Sequence, residues 1–432
     1  MKALPILAAL AFTSVRFLHA QDSNPKPPEP RGPLTLGEAV SLALTHSPAL
    51  AADRYGMRAE EASIIRAKQF PNPSADIEAE NLPSSRSTSG ADETETTLRL
   101  SQLVELGGKR SARMAEARAA NDLAAWEYEI RRLDILADTA RRFIEVVAAQ
   151  EQLALAQEAM RLAQSEREAV KVRVDAAAAS SVELRKAEIA IANAKIEAEH
   201  REHVLSSAKK SLAAAWGSEN AVFANAKADL FARQRLEAFG SLLARLGSNP
   251  ELARLAGEMS LRETQLRTAR TIGIPDVTLM AGIRQFASEK AWAAVFGASL
   301  PLPLFDRGQA DTHEALQMRN RAESMGQAIR VALAARLFET YQEAAHAITE
   351  QDVLAREILP AAREVLKATE DGYRQGRFSY LELADARRSL IEHRRQNLDA
   401  AREYHLNQVE IDRLIGAAAL APQPSVPPKK SN

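Results

Sequence analysis

The period of the apolar residues changes within one stretch, 94–113, whose sequence is TETTLRLSQLVELGGKRSAR. Before Gly107, apolar and polar side chains alternate with the two-residue period of a strand that has one apolar face. After Gly108, apolar residues recur at alternating spacings of three and four, the heptad pattern of a long packed helix. The pattern predicts a strand that runs directly into a very long helix, which few architectures accommodate.

The same switch returns about 200 residues later, which indicates an internal repeat. Residues 292–300 alternate, Pro301 and Pro303 end the strand, and a helical run opens after Gly308. We infer a tandem duplication of a strand pair plus a helical hairpin. The first repeat is predicted over 34–232, with strands at about 74–82 and 94–103, and the second over 233–416, with strands at about 276–286 and 291–301.

The predicted helices are too long for a compact domain. A helix over 109–175, or over 309–373, would extend about 100 Å at 1.5 Å per residue. The return helices, 182–216 and 381–415, are about half as long, and 48–69 and 250–271 supply the remainder. Each repeat is therefore predicted to be a long helix beside two stacked shorter ones. The fold class is mainly α with a small β part.

Composition and charge narrow the function classes. The 432 residues carry a formal net charge of −1. Acids and bases are interleaved, so nucleic acid is not an expected partner. The chain has no cysteine, which excludes disulfides, thiolate metal ligands and a lipid-bearing cysteine. Residues 1–20 are predicted to be a signal peptide, 21–33 a flexible N-terminus and 417–432 a flexible C-terminal tail.

Strands are the only candidates for crossing a membrane, because no segment after residue 20 has the roughly 18 uninterrupted apolar residues of a transmembrane helix. Four strands cannot close a barrel, and open edges are not tolerated in lipid. Three copies would supply about 12 strands above a ring of about 12 helical rods. The predicted lipid-facing residues are Ala75, Ile77, Leu98, Leu100, Val277, Leu279, Ile283, Trp292 and Phe296.

Three runs, NPSADIEAEN, ETTLRLSQLVELGGKR and LPLPLFDRGQ, resemble the TolC-type outer-membrane efflux proteins, most closely the branch that serves cobalt-zinc-cadmium and copper-silver resistance pumps. The resemblance implies a homotrimeric channel-tunnel with a barrel in the outer membrane and a helical tunnel in the periplasm. It also implies docking with a periplasmic adaptor and an inner-membrane proton-driven pump. Many members of this branch begin at a lipid-modified cysteine, which this chain lacks.

The run GRFSYLELADAR resembles the family segment that carries two rings of acids facing the tunnel axis. It implies a periplasmic gate built from Glu382 and Asp385, with Glu183 and Tyr373 as a hydrogen-bonded tie between hairpins. Phe378 stands where the family pattern has a basic gate residue, and Arg387 is a candidate substitute. Acids at a helix N-terminus also stabilise the helix dipole, so a capping role for Glu382 and Asp385 stays open.

The two hairpin tips, 175–182 and 372–380, lie at the predicted end of the rods farthest from the strands. The resemblance implies that the adaptor docks there, where small residues permit close approach. The candidates are Ser180, Ser181, Gly372, Gly376 and Ser379. Glycine and serine also suit ordinary tight turns, which is the alternative interpretation.

Candidate chemistry is sparse. His200 and His203 share a helix face but lack the acidic third ligand of a metal site, and the GGKR run lacks the spacing of a phosphate loop. We therefore expect no enzyme activity, no cofactor and no bound metal.

Metal ions, drugs and secreted polypeptides all fit a duct of this kind, and a structural trimeric stalk is the alternative from another class. The returning helices favour a duct, because a stalk gains nothing from them. Asp76, Glu78 and Glu80 favour cations if they line the barrel, although ordinary solubilising charge would look the same.

Overall fold

The computed structural model describes residues 29–82 and 94–416. The predicted signal peptide and C-terminal tail lie outside these residues. The elements, in chain order, are α1 (Leu36–His46), α2 (Pro48–Lys68), β1 (Ser74–Glu80), β2 (Glu95–Val104), α3 (Lys109–Asp175), α4 (Ser181–Ala214), α5 (Phe239–Arg245), α6 (Pro250–Ile272), β3 (Val277–Phe286), β4 (Ala291–Ser299), α7 (Gln309–Val353), α8 (Leu359–Arg374) and α9 (Tyr380–Leu414).

The helices lie side by side with their axes aligned and form one wall, and the sheet lies at one end of this wall. Near the sheet the neighbours run in the order α2, α3, α6, α7, and in the distant half they run α4, α3, α9, α8. One edge of the wall is therefore α2 followed by α4, and the other is α7 followed by α8. Among the described helices, none is both long and apolar enough to cross a membrane.

The predicted switch from strand to helix occurs at a two-glycine turn. Gly107 and Gly108 have positive φ angles of 66° and 74°, which glycine adopts without strain. A side chain at Gly107 would collide with Ile274 at 2.6 Å. Asp276 fastens the turn, because its carboxylate accepts a hydrogen bond from the Leu106 amide at 3.0 Å and pairs with Lys109 at 2.9 Å. The second repeat uses Gly308 in the same way, with a φ of 71°.

The four strands form one antiparallel sheet in the order β1-β2-β3-β4, so β2 and β3 join the two repeats. Leu98 lies opposite Ile77 on one side and Ile283 on the other. This register places all nine predicted lipid-facing residues on one face. Most of their side chains are exposed in the single chain. Contact of this face with lipid stays a prediction.

The opposite face of the sheet is polar and internally paired on β1, on β2 and at Arg284 of β3, whereas β4 presents small or apolar side chains there, such as Ala293 and Val295. Arg99 pairs with Glu78, and Arg284 pairs with Glu80 at 3.2 Å and with Glu95 at 2.9 Å. Ser101 donates to Asp76 at 2.9 Å. Of the three acids expected to favour cations, Glu78 and Glu80 are therefore bound to arginines and Asp76 to a serine, and their place in a barrel lining stays a prediction.

The second long helix, predicted as one regular helix over 309–373, contains one irregular turn. The wider turn Leu354–Ile358, of the π type, separates α7 from α8. Pro360 explains the break, since it lacks the N–H that a continuing α-helix requires and stands in the first turn of α8. π-helical geometry is rare and occurs mostly as such single turns inside α-helices.

A strap that the sequence did not predict, residues 215–238, crosses the middle of the wall. Leu34 pairs with Ala226 as a parallel bridge, and the Gln150 side chain makes two bonds to the Ala226 backbone, at 2.9 and 2.8 Å. Further along, Tyr404 bonds both backbone groups of Gln234. The strap contributes Trp216 to the largest buried apolar cluster, which also includes Phe143 of α3; these side chains are large enough to contribute much of the core burial.

Candidate functional site

The end of the wall farthest from the sheet consists of two tight turns, one from α3 to α4 and the other from α8 to α9. Ser180 caps α4 by accepting a hydrogen bond from the Val182 amide at 3.1 Å. Ser379 caps α9 in a reciprocal capping box with Glu382. Gly376 takes a φ of 73° at the second tip, where any other residue would be strained. These caps fix where each tip begins and ends.

Tyr373 ties the two hairpins together. Its hydroxyl donates to the Glu183 carboxylate at 3.2 Å, joining α8 to the first turn of α4. The Arg173 guanidinium stacks over the Tyr373 ring at 4.2 Å and donates to the Tyr373 carbonyl. Burial, followed by the facing Glu183 charge, raises the pKa of the Tyr373 hydroxyl, so it remains a neutral donor. The predicted pairing of Glu183 with Tyr373 is thus present in the single chain.

Arg387 lies inside the wall as a second tie between helices. From α9 it pairs with Glu166 on α3 and, at 3.0 Å, with Glu370 on α8. Only 12% of the Arg387 side chain and 6% of the Glu166 side chain are exposed. Burial raises the pKa of Glu166, and the Arg387 charge opposes that rise. Desolvation, with the Glu166 charge nearby, raises the pKa of Tyr380 to about 12.

Glu382 and Asp385 are both exposed, and each has a local partner. The Glu382 carboxylate accepts hydrogen bonds from the backbone and side chain of Ser379, at 2.7 and 2.8 Å, which lowers the pKa of Glu382. Asp385 pairs with Arg388, three residues along the same helix. In the single chain Glu382 therefore acts as a helix cap, while its exposure leaves it able to face another copy.

The candidate docking residues differ in whether they are exposed at the surface of the tips. Gly372 is buried beneath Phe378, whose ring would lie 2.1 Å from any added side chain. Gly372 therefore serves the closure of its own turn and does not lie at the surface, contrary to the expectation for it. Gly376 has open space around it, and Ser180, Ser181 and Ser379 are exposed at the tips. Docking at these four stays a prediction.

Sequence reasoning missed several residues of this region. Arg173, Glu166 and Glu370 hold the tip together, but Arg173 and Glu166 bind partners about 200 residues away in the chain, Tyr373 and Arg387, and no local pattern marks these pairs. His203 lies 3.8 Å from Glu199 on the same helix, and the described residues contain no cluster of three metal-ligating side chains.

The fold and its paired tips define a class of channel protein, and the chain belongs to the outer membrane efflux protein family. The family model matches residues 39–218 and 242–417, so it covers both repeats. The protein is accordingly an outer-membrane efflux channel with its helical tunnel in the periplasm, and it is not an enzyme. Channels of this family work with adaptor and inner-membrane pump partners.

Two relatives refine the comparison. The chain is 31% identical over 419 residues to the cobalt-zinc-cadmium resistance protein CzcC of Cupriavidus metallidurans, covering 96% of this chain and 99% of that one. It is 26% identical over 325 residues to the nickel and cobalt resistance protein CnrC of the same species, covering 75% of this chain and 74% of CnrC.

Solved structures share the fold. CusC, described as forming a transmembrane channel, superposes with a TM-score of 0.76 at 16% identity, over 88% of this chain and 91% of CusC. The outer membrane protein VceC of Vibrio cholerae superposes with a TM-score of 0.73 at 17% identity, over 88% of this chain and 96% of VceC. At these identities the likeness describes the fold alone.

Proposed function

We propose that the chain is the outer-membrane duct of a heavy-metal efflux system and that divalent metal cations are its substrate. The observation that carries this proposal is the 31% identity to a cobalt-zinc-cadmium resistance protein over nearly the whole of both chains. Resistance proteins for nickel and cobalt are also among the relatives. Polypeptide or drug export would use the same wall, but none of these relatives is named for it.

Three copies would close the duct, and the edges of the wall support this assembly. Exposed apolar residues follow each edge at roughly seven-residue spacing, which is typical of helices that pack against another helix. On α4 these residues are Val182, Ile189 and Ile196, and on the α7 edge they are Met318, Met325, Val331 and Phe338. Because the two edges differ, joining them gives a head-to-tail contact, which closes into a ring.

The sheet, like the wall of helices, needs neighbouring copies to satisfy its two edges. β1 and β4 each have one unpaired edge in the single chain. Unpaired backbone groups are not tolerated in lipid, so β4 of one copy would pair with β1 of the next. Three copies give about 12 strands, within the range of outer-membrane barrels. The apolar face would then meet lipid and the arginine-paired face would line the lumen.

The tips would form the gate and the docking surface for the adaptor. Three copies of Glu382 and Asp385 would bring six carboxylates to the mouth of the tunnel, where cations offset their repulsion. The Tyr373 and Arg387 ties would hold the hairpins in the resting arrangement. An inner-membrane pump driven by protons is the expected source of substrate.

Metal tolerance tests the substrate. A strain from which this chain has been deleted, complemented with the chain or with empty vector, would be titrated with zinc, cobalt, cadmium, nickel and a panel of drugs. We expect the chain to restore tolerance to at least one divalent metal and to leave drug tolerance unchanged. Restored tolerance to drugs alone would overturn the proposed substrate. Conductance of the purified protein in a planar bilayer would separately distinguish a duct from a stalk.

A further inference from the structure

Exposed apolar side chains lie at the junction between sheet and helices, outside the strands, in the loop after β4 and, at the other edge of the sheet, just before β1. The loop after β4 presents Leu302, Leu304 and Phe305, which are 69%, 65% and 93% exposed. Phe70, just before β1, is 68% exposed. Large apolar side chains this exposed, three of them within four residues of one loop, mark an interaction site rather than ordinary surface.

The loop after β4 has a defined shape. The Leu304 amide donates to the Leu302 carbonyl at 2.9 Å, and the Gln309 side chain donates to the Phe305 carbonyl at 3.1 Å. The base of the loop lies against the end of α6, where a side chain at Gly273 would come within 2.5 Å of the Arg307 carbonyl. The apolar side chains are therefore held outward by the fold.

Basic side chains accompany the aromatic rings. The Arg110 guanidinium lies 3.9 Å from the centre of the Phe70 ring and donates to the Lys68 carbonyl at 2.8 Å. Arg307 is exposed two residues after Phe305. Aromatic rings beside arginine suit the boundary between lipid tails and phosphate headgroups, since the rings enter the apolar side and the cations meet the phosphates.

The position along the strands agrees with such a boundary. Trp292 lies at the other end of β4, beside the turn that joins β3 to β4. From Trp292 to Leu302 the chain advances ten residues, or roughly 25 Å along the membrane normal for a strand tilted by about 40°, which matches the apolar band of outer-membrane barrels. The loop after β4 thus lies where the inner surface of the membrane would be.

We propose that Leu302, Leu304 and Phe305, with Phe70, Arg110 and Arg307, form an anchor that enters the phospholipid leaflet facing the periplasm. This inference rests on the proposed placement of the sheet in the membrane. It assigns a membrane contact to a loop that lies outside the strands. The chain has no cysteine, so an acylated cysteine cannot serve as a membrane anchor. The occupant is a phospholipid surface, and a second copy of the chain is the competing occupant.

Because the chain has no cysteine, a thiol-reactive label attaches only at the single cysteine introduced for the test. Phe305→Cys carries a nitroxide label in the full chain, assembled in vesicles of phosphatidylethanolamine and phosphatidylglycerol. Collision of the label with oxygen reports lipid, and collision with a water-soluble nickel complex reports water. Phe296→Cys, on the apolar face of β4, is the matched lipid control, and Asp311→Cys, in the first turn of α7, is the water control.

We expect the label at 305 to collide more often with oxygen than with nickel, at a depth between those of the two controls. A label at 305 that behaves like the one at 311 overturns the anchor. So does a label protected from both reagents, because a neighbouring copy would then cover the loop. If the label at 296 is also open to nickel, the proposed placement of the sheet has failed, and that result is distinguishable from failure of the anchor alone.

Discussion

Tyr373 and Arg387 bind the same pair of hairpins by different physical means. Tyr373 contributes a neutral hydrogen bond and a ring stacked on Arg173, and both interactions are weak and readily reversed. Arg387 contributes an ion pair that is almost entirely removed from water, together with buried polar atoms on both partners, Glu166 Oε1 and Arg387 Nε, that have no hydrogen-bond partner among the described residues. Breaking one half of such a pair is strongly destabilising, whereas the tyrosine tie can open and close.

The Tyr373 tie is expected to limit the resting conductance. Tyr373→Phe keeps the ring and its stacking on Arg173 but removes one hydrogen bond, worth about 1 kcal/mol, so the open fraction should rise several-fold. Single-channel recording in a planar bilayer measures this. Glu183→Gln is the matched control, because its amide oxygen still accepts from Tyr373, and it should resemble the unaltered protein. Equal conductance of Tyr373→Phe and the unaltered protein would show that the tie does not hold the gate.

His405 makes the strap sensitive to acid. Its ring nitrogen Nε2 lies 3.0 Å from the Leu230 carbonyl, and burial lowers the pKa of His405. A lowered pKa means that the folded state favours the neutral ring, so its stabilising effect is present above the unfolded value of about 6.5 and is lost as the pH falls through the lowered value. The melting temperature should therefore decline in acid, and His405→Gln should flatten the decline. An unchanged slope in the variant would assign the acid sensitivity to other groups.

At the scale of the elements, the sheet separates its two faces residue by residue. Leu100 and Ser101 are neighbours in β2, yet one belongs to the exposed apolar face and the other donates to Asp76 on the polar face. Thr97, on the polar face of the same strand, is fully buried and accepts a hydrogen bond from Arg284 at 2.9 Å. An arginine in its place would add a third guanidinium beside Arg99 and Arg284, so the polar face does not accept a basic side chain at every position.

A matched pair of lysines tests the assignment of the faces. Leu100→Lys should impair assembly, because a lysine on the lipid side near the midplane costs roughly 2 to 4 kcal/mol. Ser101→Lys, one residue away and beside Asp76, should assemble nearly as well as the unaltered chain. The yield of folded oligomer after extraction from membranes measures both. Equal yields from Leu100→Lys and Ser101→Lys would reject the lipid-facing assignment.

Local patterns predicted most of the elements. Heptad spacing located α3, and glycine marked its start. The irregular turn before α8 could also have been predicted from the sequence, since Pro360 marks it. The strap at 215–238 was not, because its bonds to Gln150 and Tyr404 join residues far apart in sequence and no local propensity encodes them.

The candidate site was less predictable than the fold. The Glu183 and Tyr373 pairing followed from a family resemblance, and the structure places the two within hydrogen-bond distance. Gly372 was misjudged because smallness suggests an approachable surface, whereas the space beside this glycine is filled by Phe378 from its own turn. Whether a small residue faces solvent or a neighbouring ring depends on the packing of the tip, which the sequence does not specify.

At the scale of the whole molecule, the single chain has edges that only neighbouring copies could cover or pair. Both long edges of its wall expose apolar side chains, and both outer strands leave backbone groups unpaired. A head-to-tail ring satisfies all four edges with one operation. The duplication explains why so few copies suffice, because each chain already contributes two strand pairs and two helical hairpins.

The α4 edge is expected to be essential to this ring. Ile196→Glu places a charge on the apolar stripe, and it should reduce the trimer fraction several-fold, since a buried unpaired charge is costly. Lys195→Glu is the matched control, because it adds the same side chain on the same helix about 100° away from the stripe. Analytical ultracentrifugation in detergent measures the oligomer. Equal trimer fractions for Ile196→Glu and Lys195→Glu would exclude this edge from the interface.

The acids at the tip are expected to make the assembled channel sensitive to divalent cations. Testing this requires removing charge without removing the cap, because Glu382 is the reciprocal partner of Ser379 at the start of α9. Glu382→Gln suits this purpose, since glutamine occupies the same place in a capping box. Asp385→Asn removes the second carboxylate and leaves the size of the side chain nearly unchanged.

In a planar bilayer, nickel or cobalt added at the periplasmic side should block the unaltered channel. The half-blocking concentration should rise at least about tenfold in the double variant Glu382→Gln and Asp385→Asn, because six carboxylates around one aperture become neutral. An unchanged melting temperature would show that the cap is intact, and Ser379→Ala, which weakens the cap but keeps both carboxylates, should retain the block. If the double variant is blocked as strongly as the unaltered channel, these acids are helix caps and cations bind elsewhere in the tunnel.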